Sequence, residues 1–125
     1  SNFWAIIIGI DSYQTCLLRG CVSDTLLVEK YLKEEIGIPQ DQIQRLLGSQ
    51  GTSVDDSLFP SCTNIVNTLL ALVDNPQIKV GDNIIIYFSG HGLGYSPNDY
   101  HLSNTEDNHS LGGVDGSIEA ICPID

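Results

Sequence analysis

Residues 3–10, FWAIIIGI, and residues 83–88, NIIIYF, hardly alternate between apolar and polar positions. That pattern suits internal parallel strands covered on both faces, not edge strands with one wet face. Between them, Val22, Leu26, Leu27, Tyr31, Leu32 and Ile36 recur at helical spacing over residues 21–36, leaving Glu29, Lys30, Lys33 and Glu34 for solvent. Gly37 is a natural stop for this helix. Residues 43–47 fit a short second strand, with a helical turn as the alternative. A polar connection over residues 48–60 leads to Ser61 or Thr63, either of which can cap a second helix. Its apolar face uses Ile65, Val66, Leu69, Leu70 and Val73, and it ends near Asn75 and Pro76.

The order strand, helix, strand, helix, strand predicts an α/β layered fold with a mostly parallel sheet flanked by helices. In open sheets of this kind, reactive groups collect where strands end. The strand at 83–88 runs directly into Ser89-Gly90-His91-Gly92, so His91 stands at such an address. Residues 93–118 are rich in Gly, Asn, Asp and Ser and read as a long loop with room for a short hairpin. Residues 118–122 supply one more strand before Pro123 interrupts it.

A chain of 125 residues makes one domain at most, with enough length for a respectable core. Sixteen acidic residues against five basic ones give a net charge of -11. This argues against a phosphate-backbone binder, so no nucleic-acid partner is expected, and it favours a cationic substrate, partner or metal. The opening apolar run is too short to span a bilayer and lacks a basic leader, so no membrane partner is expected either. Cys16, Cys21, Cys62 and Cys122 follow neither a zinc spacing nor a secreted disulfide framework, which points to a reducing compartment.

Glycines on both sides of His91 leave room for close approach of a ligand. Imidazoles ordinarily titrate at about 6.5, which suits proton exchange near neutrality. Composition alone leaves catalysis and a structural role both open. Cys21, at the start of a helix, is the best visible thiol for nucleophilic chemistry, with a buried packing role as the alternative. Cys62 has a similar address, Cys16 reads as a loop thiol, and Cys122 reads as strand packing. His91, His101 and His109 form no HExxH, and neither a Walker A motif nor GxSxG is present, so no nucleotide or organic cofactor is expected. Asp99, Glu106, Asp107, Asp115, Glu119 and Asp125 gather late in the chain, where their oxygens serve either loop solvation or calcium binding.

Four stretches, "WAIIIGIDSY", "LLRGCVSDTLLVEKYL", "NIIIYFSGHG" and "EAICPID", run in order over nearly the whole length of the chain. Through them the chain resembles the N-terminal part of the large catalytic subunit of fungal metacaspases, within the caspase-like cysteine peptidases. The resemblance implies a caspase-haemoglobinase fold, here incomplete, with His91 as the catalytic histidine. It implies that Asp24 receives a basic P1 side chain, that Ser89 belongs to the same pocket, and that Cys21 is a secondary cysteine near the site. The family's nucleophile lies in a later "DxCxSG" type segment, about fifty residues after the histidine in caspase-like chains. Only 34 residues follow His91.

Three readings follow. The first is a fragment of a calcium-assisted cysteine endopeptidase cleaving after Arg or Lys, with a basic peptide or protein as substrate and a cytoplasmic or also nuclear location. The second is a catalytically inactive caspase-like protein that binds or regulates a relative. The third pairs Cys21 with His91 directly. A chain ending at Asp125 is expected to expose apolar sheet surface, and therefore to associate with a complementary fragment or with itself.

Overall fold

The structure, a computed structural model, describes residues 1–96 and 118–125. These fall into two compact units, one of residues 1–90 with 123–125 and the other of residues 91–122.

The first unit is built on a three-stranded parallel sheet. β1 (Phe3–Ile10) is its central strand, flanked by β2 (Ile43–Gly48) and β3 (Asn83–Ser89). Ala5 stands opposite Ile43 in one register and opposite Ile85 in the other. The unbroken apolar run of β1 is explained by this position: Ile6, Ile7, Ile8 and Ile10 are all at most 1% exposed. Burying one such side chain stabilises by about 1.5–3 kcal/mol, so this strand is the main apolar contribution to the unit.

α1 (Cys21–Glu34) follows β1 and packs on the face carrying Ala5 and Ile7. The face it buries differs from the periodic apolar one. Thr25, Glu29 and Leu32 point inward, whereas Leu26, Leu27, Tyr31 and Ile36 are exposed. Two polar residues can sit inside because both are satisfied. The Thr25 hydroxyl donates to the Cys21 carbonyl at 2.7 Å, and Glu29 accepts from Arg45 on β2 at 2.8 Å and from Lys33 at 3.4 Å. Burial pushes the Glu29 carboxyl up, but the hydrogen bonds and charges of Arg45 and Lys33 outweigh it and hold the group below its ordinary value. The helix stops two residues before Ile36. Gly37, at φ +80°, turns the chain so that Ile38 donates to the Leu32 carbonyl and enters the core.

A 3-10 turn at Gln40–Gln42 leads into β2, which is a strand, as one of the two sequence alternatives had it. α2 (Cys62–Val73) begins at Ser61, whose hydroxyl accepts from the Asn64 amide at 3.1 Å. A second cap comes from far along the chain, where the Asp125 carboxylate accepts from the Cys62 amide at 2.8 Å. Ile124 docks beside it, donating to the Pro60 carbonyl, with its side chain over Gly48. Of the expected apolar face, Ile65 is buried while Val66, Leu70 and Val73 are exposed. A groove of about 330 Å³ separates the polar side of α2, including Asn64, Asn67 and Thr68, from Trp4 and Ile6 of β1. Ahead of β3, Asp82 gathers the amides of Asn2 and Lys79 and the indole N–H of Trp4, and these hydrogen bonds hold its carboxyl below the ordinary value.

β3 corrects an expectation. Among the described residues it pairs with β1 alone, and Ile84 and Ile86 are 49% and 58% exposed, so it is not covered on both faces. Ile85 and Tyr87 do pack toward the core cluster under α1. The apolar run reflects composition that the described elements cover on one side only.

In the second unit, β4 (Gly92–Tyr95) pairs antiparallel with β5 (Ile118–Ile121). The last strand is thus part of a separate two-stranded sheet, and Cys122 lies just after it instead of within it. Asp99, His101, Glu106, Asp107, His109 and Asp115 lie outside the described residues. Among the described residues, no helix is long and apolar enough to cross a membrane.

Candidate active site

Three of the four residues singled out by sequence belong to the first unit and share one end of its sheet. Cys21 opens α1, Asp24 lies in its first turn, and Ser89 closes β3. Gly9 brings the two elements to a common point. It is the register partner of Ser89, and a Cβ placed on it would lie 2.8 Å from the Cys21 carbonyl oxygen. The start of α1 and the end of β3 therefore both adjoin the end of β1, at the C-terminal edge of the sheet. Cys21 and Ser89 are half-buried, and Asp24 is exposed.

The loop between β1 and α1 is fixed by Asp11, a residue the sequence reading passed over. Its carboxylate accepts from the Cys21 amide at 2.8 Å and from the Val22 amide at 3.4 Å. Gly20, the residue before the helix, carries no capping side chain, so Asp11 satisfies the first turn from ten residues upstream. The Asp11 backbone is itself tied down. Its amide donates to the Gly48 carbonyl at 2.9 Å, and its carbonyl accepts from the amides of Tyr13 and Leu18. The signal for this role was a helix beginning at Gly20 with no capping side chain of its own. A cleft of about 350 Å³ opens beside the loop, lined by Asp11, Ser12, Arg19, Ser49 and Gln50 and not by Cys21 or Ser89.

His91 begins the second unit, directly after Ser89-Gly90 in the chain. It is half-buried, and its carbonyl accepts from the Cys122 amide at 2.9 Å, which closes the base of the β4–β5 ladder. Cys16 and Cys62 are exposed and Cys122 is half-buried. Cys62 is the first residue of α2, whose start is already occupied by the Asp125 carboxylate. Among the described residues, no group of three or more His, Cys, Asp or Glu side chains is arranged to hold a metal ion. Asp125, one of the late carboxylates, is engaged as a helix cap.

Comparison with known proteins gives these residues a context. The sequence profile of the family described as "Metacaspase, peptidase C14 domain" matches residues 4–125. Metacaspase-1A of Aspergillus oryzae is 32% identical over 122 residues, which is 97% of this chain and 25% of that protein. Metacaspase-3 of Arabidopsis thaliana is 29% identical over 122 residues, 97% of this chain and 29% of its own length. Metacaspase-6 of Arabidopsis thaliana is 35% identical over 89 residues, covering 70% of this chain and 23% of its own. The chain thus spans about a quarter of the length of these relatives. Plant and fungal proteins match alike, so the comparison resolves the family and not a fungal branch of it. With its parallel sheet and two helices consistent with part of a caspase-like fold, the chain belongs to the metacaspase family of C14 peptidase domains.

Proposed function

We propose that these residues form part of a cysteine endopeptidase that cleaves after Arg or Lys. In this reading His91 is the general base for a cysteine carried by polypeptide outside these 125 residues. The imidazole takes the thiol proton, the sulfur attacks the scissile carbonyl carbon, and the imidazolium returns the proton to the departing amine. Water then attacks the acyl-enzyme, giving up a proton to the imidazole and releasing the carboxylic acid and the thiol. Asp24 pairs with the guanidinium or ammonium of the P1 residue, and Ser89 contributes to the same pocket. Cys21 stands beside that pocket as a secondary thiol.

The observation that carries this reading is the convergence of α1's first turn and Ser89 on Gly9, which puts Asp24, Cys21 and Ser89 at one strand-end address. The chain's net charge of -11 favours a basic substrate as well. The test is Asp24→Asn in the natural polypeptide that carries this segment, assayed on peptides with Arg, Lys or Gln at P1. kcat/KM for the basic substrates should fall by about tenfold or more while that for Gln changes little. Equal loss on all three would remove Asp24 from the specificity pocket.

A second reading is favoured by β3. Its described pairing is one-sided, and exposed Ile84 and Ile86 would suit a strand-adding partner, as in an inactive binding or regulatory protein. An Arg-P1 peptide carrying a thiol trap separates the two. It labels a cysteine in the peptidase and none in a purely binding protein.

A further inference from the structure

The geometry points to Tyr13 as a positioning residue for the turn that carries His91. Tyr13 is only 7% exposed although it belongs to a loop whose neighbours Gln14, Thr15 and Cys16 are exposed. Its backbone is held by Asp11, whose amide, like that of Ser12, donates to the Gly48 carbonyl at the end of β2. The loop is thus anchored at one strand end while the Tyr13 side chain reaches another. A Cβ on Gly90 would run into the Tyr13 hydroxyl and would stand 2.8 Å from Phe88 Cζ. Gly90 has no positive φ to explain its identity. What it lacks is space, with the Tyr13 hydroxyl on one side and the Phe88 ring on the other.

Tyr13, Phe88 and Gly90 all belong to the first unit, and Gly90 is the last residue before His91. Fixing the Gly90 backbone against two rings fixes the residue to which His91 is covalently joined. Tyr13 acts on His91 through that backbone. A displacement of about 1 Å in a catalytic group can cost on the order of 100-fold in rate, which is why such a support would matter. The catalytic meaning of this support rests on the proposed role of His91, but the support itself can be measured without activity.

The experiment uses the isotope-labelled natural polypeptide that carries these residues. The His91 imidazole resonances are assigned by their loss in His91→Gln, and they are compared in wild type, Gly90→Ala and the Tyr13→Phe/Gly90→Ala double variant. Gly90→Ala should move the His91 signals, and removing the Tyr13 hydroxyl should return them most of the way to wild type. Movement with no return in the double variant, or no movement in Gly90→Ala, overturns the inference. Should Gly90→Ala fail to fold, Tyr13→Leu decides. Amide exchange at Ser89, Gly90 and Gly92 should quicken by about tenfold while Leu46 and Leu47 of β2 stay protected; unchanged exchange at the turn overturns it. If the resonances behave as expected but the natural polypeptide cleaves nothing, the support stands and the peptidase reading falls.

Discussion

Gly9 and Thr25 meet with no room for a methyl group between them: a Cβ on Gly9 would lie 2.9 Å from the Thr25 Cβ. This contact seats the first turn of α1 on the end of β1, and with it Cys21 and Asp24. Gly9→Ala must push the helix away or distort the strand. Overpacking of this kind costs about 1–3 kcal/mol. A urea midpoint unchanged from wild type would show that the helix is not held this closely.

The ion cluster under α1 gives a prediction with a sign. The folded-state value of Glu29 is depressed, so its contribution is present above its ordinary value of 4.5 and is lost as pH falls through the folded value. Arg45 is the main opposing influence on a carboxyl that burial alone would push up. In Arg45→Met only Lys33 is left to oppose burial, so the depression should shrink and the variant should lose less stability on acidification than wild type does. Near neutrality the substitution should cost roughly 1–2 kcal/mol, below the usual figure for a buried pair because Arg45 is itself 45% exposed. Parallel acid titration curves for the two proteins would contradict this.

α2 begins under two caps, and they should be separable. Ser61→Ala removes the acceptor for the Asn64 amide and should cost about 1 kcal/mol. Asp125→Ala removes the acceptor for the Cys62 amide and, with it, an anion at the helix start. The double variant should lose more than either single one in thermal denaturation. A double variant no worse than Ser61→Ala would mean that Asp125 contributes nothing to α2.

β1, β3 and both helices were legible because β1 and β3 are unbroken apolar runs and because Ser61 and Gly37 mark helix limits. The seat of α1 was not. Periodicity favoured Leu26, Leu27 and Tyr31 as the inner face, but the close approach allowed by Gly9 turns Thr25 inward, and Arg45, sixteen residues from Glu29, makes that carboxylate tolerable inside. β3 looked internal because a run of isoleucines records what a strand can bury, whereas its coverage depends on neighbours distant in the chain. β4 was missed because Gly92-Leu93-Gly94-Tyr95 has too little side-chain pattern to read as a strand. Of the candidate site residues, His91 and Cys21 drew notice from the local sequence, whereas Asp24 and Ser89 came only with the family resemblance. Asp11 and Tyr13 came with neither, since their work is done across loops that only the fold brings together.

The most direct test of the central claim is cleavage by the natural polypeptide carrying these residues, assayed on matched peptides with Arg, Lys, Asp or Gln at P1, in wild type and His91→Ala. The account predicts turnover confined to the Arg and Lys peptides and reduced by at least about 100-fold without the imidazole. Turnover that survives His91→Ala, or that ignores the charge at P1, would contradict it.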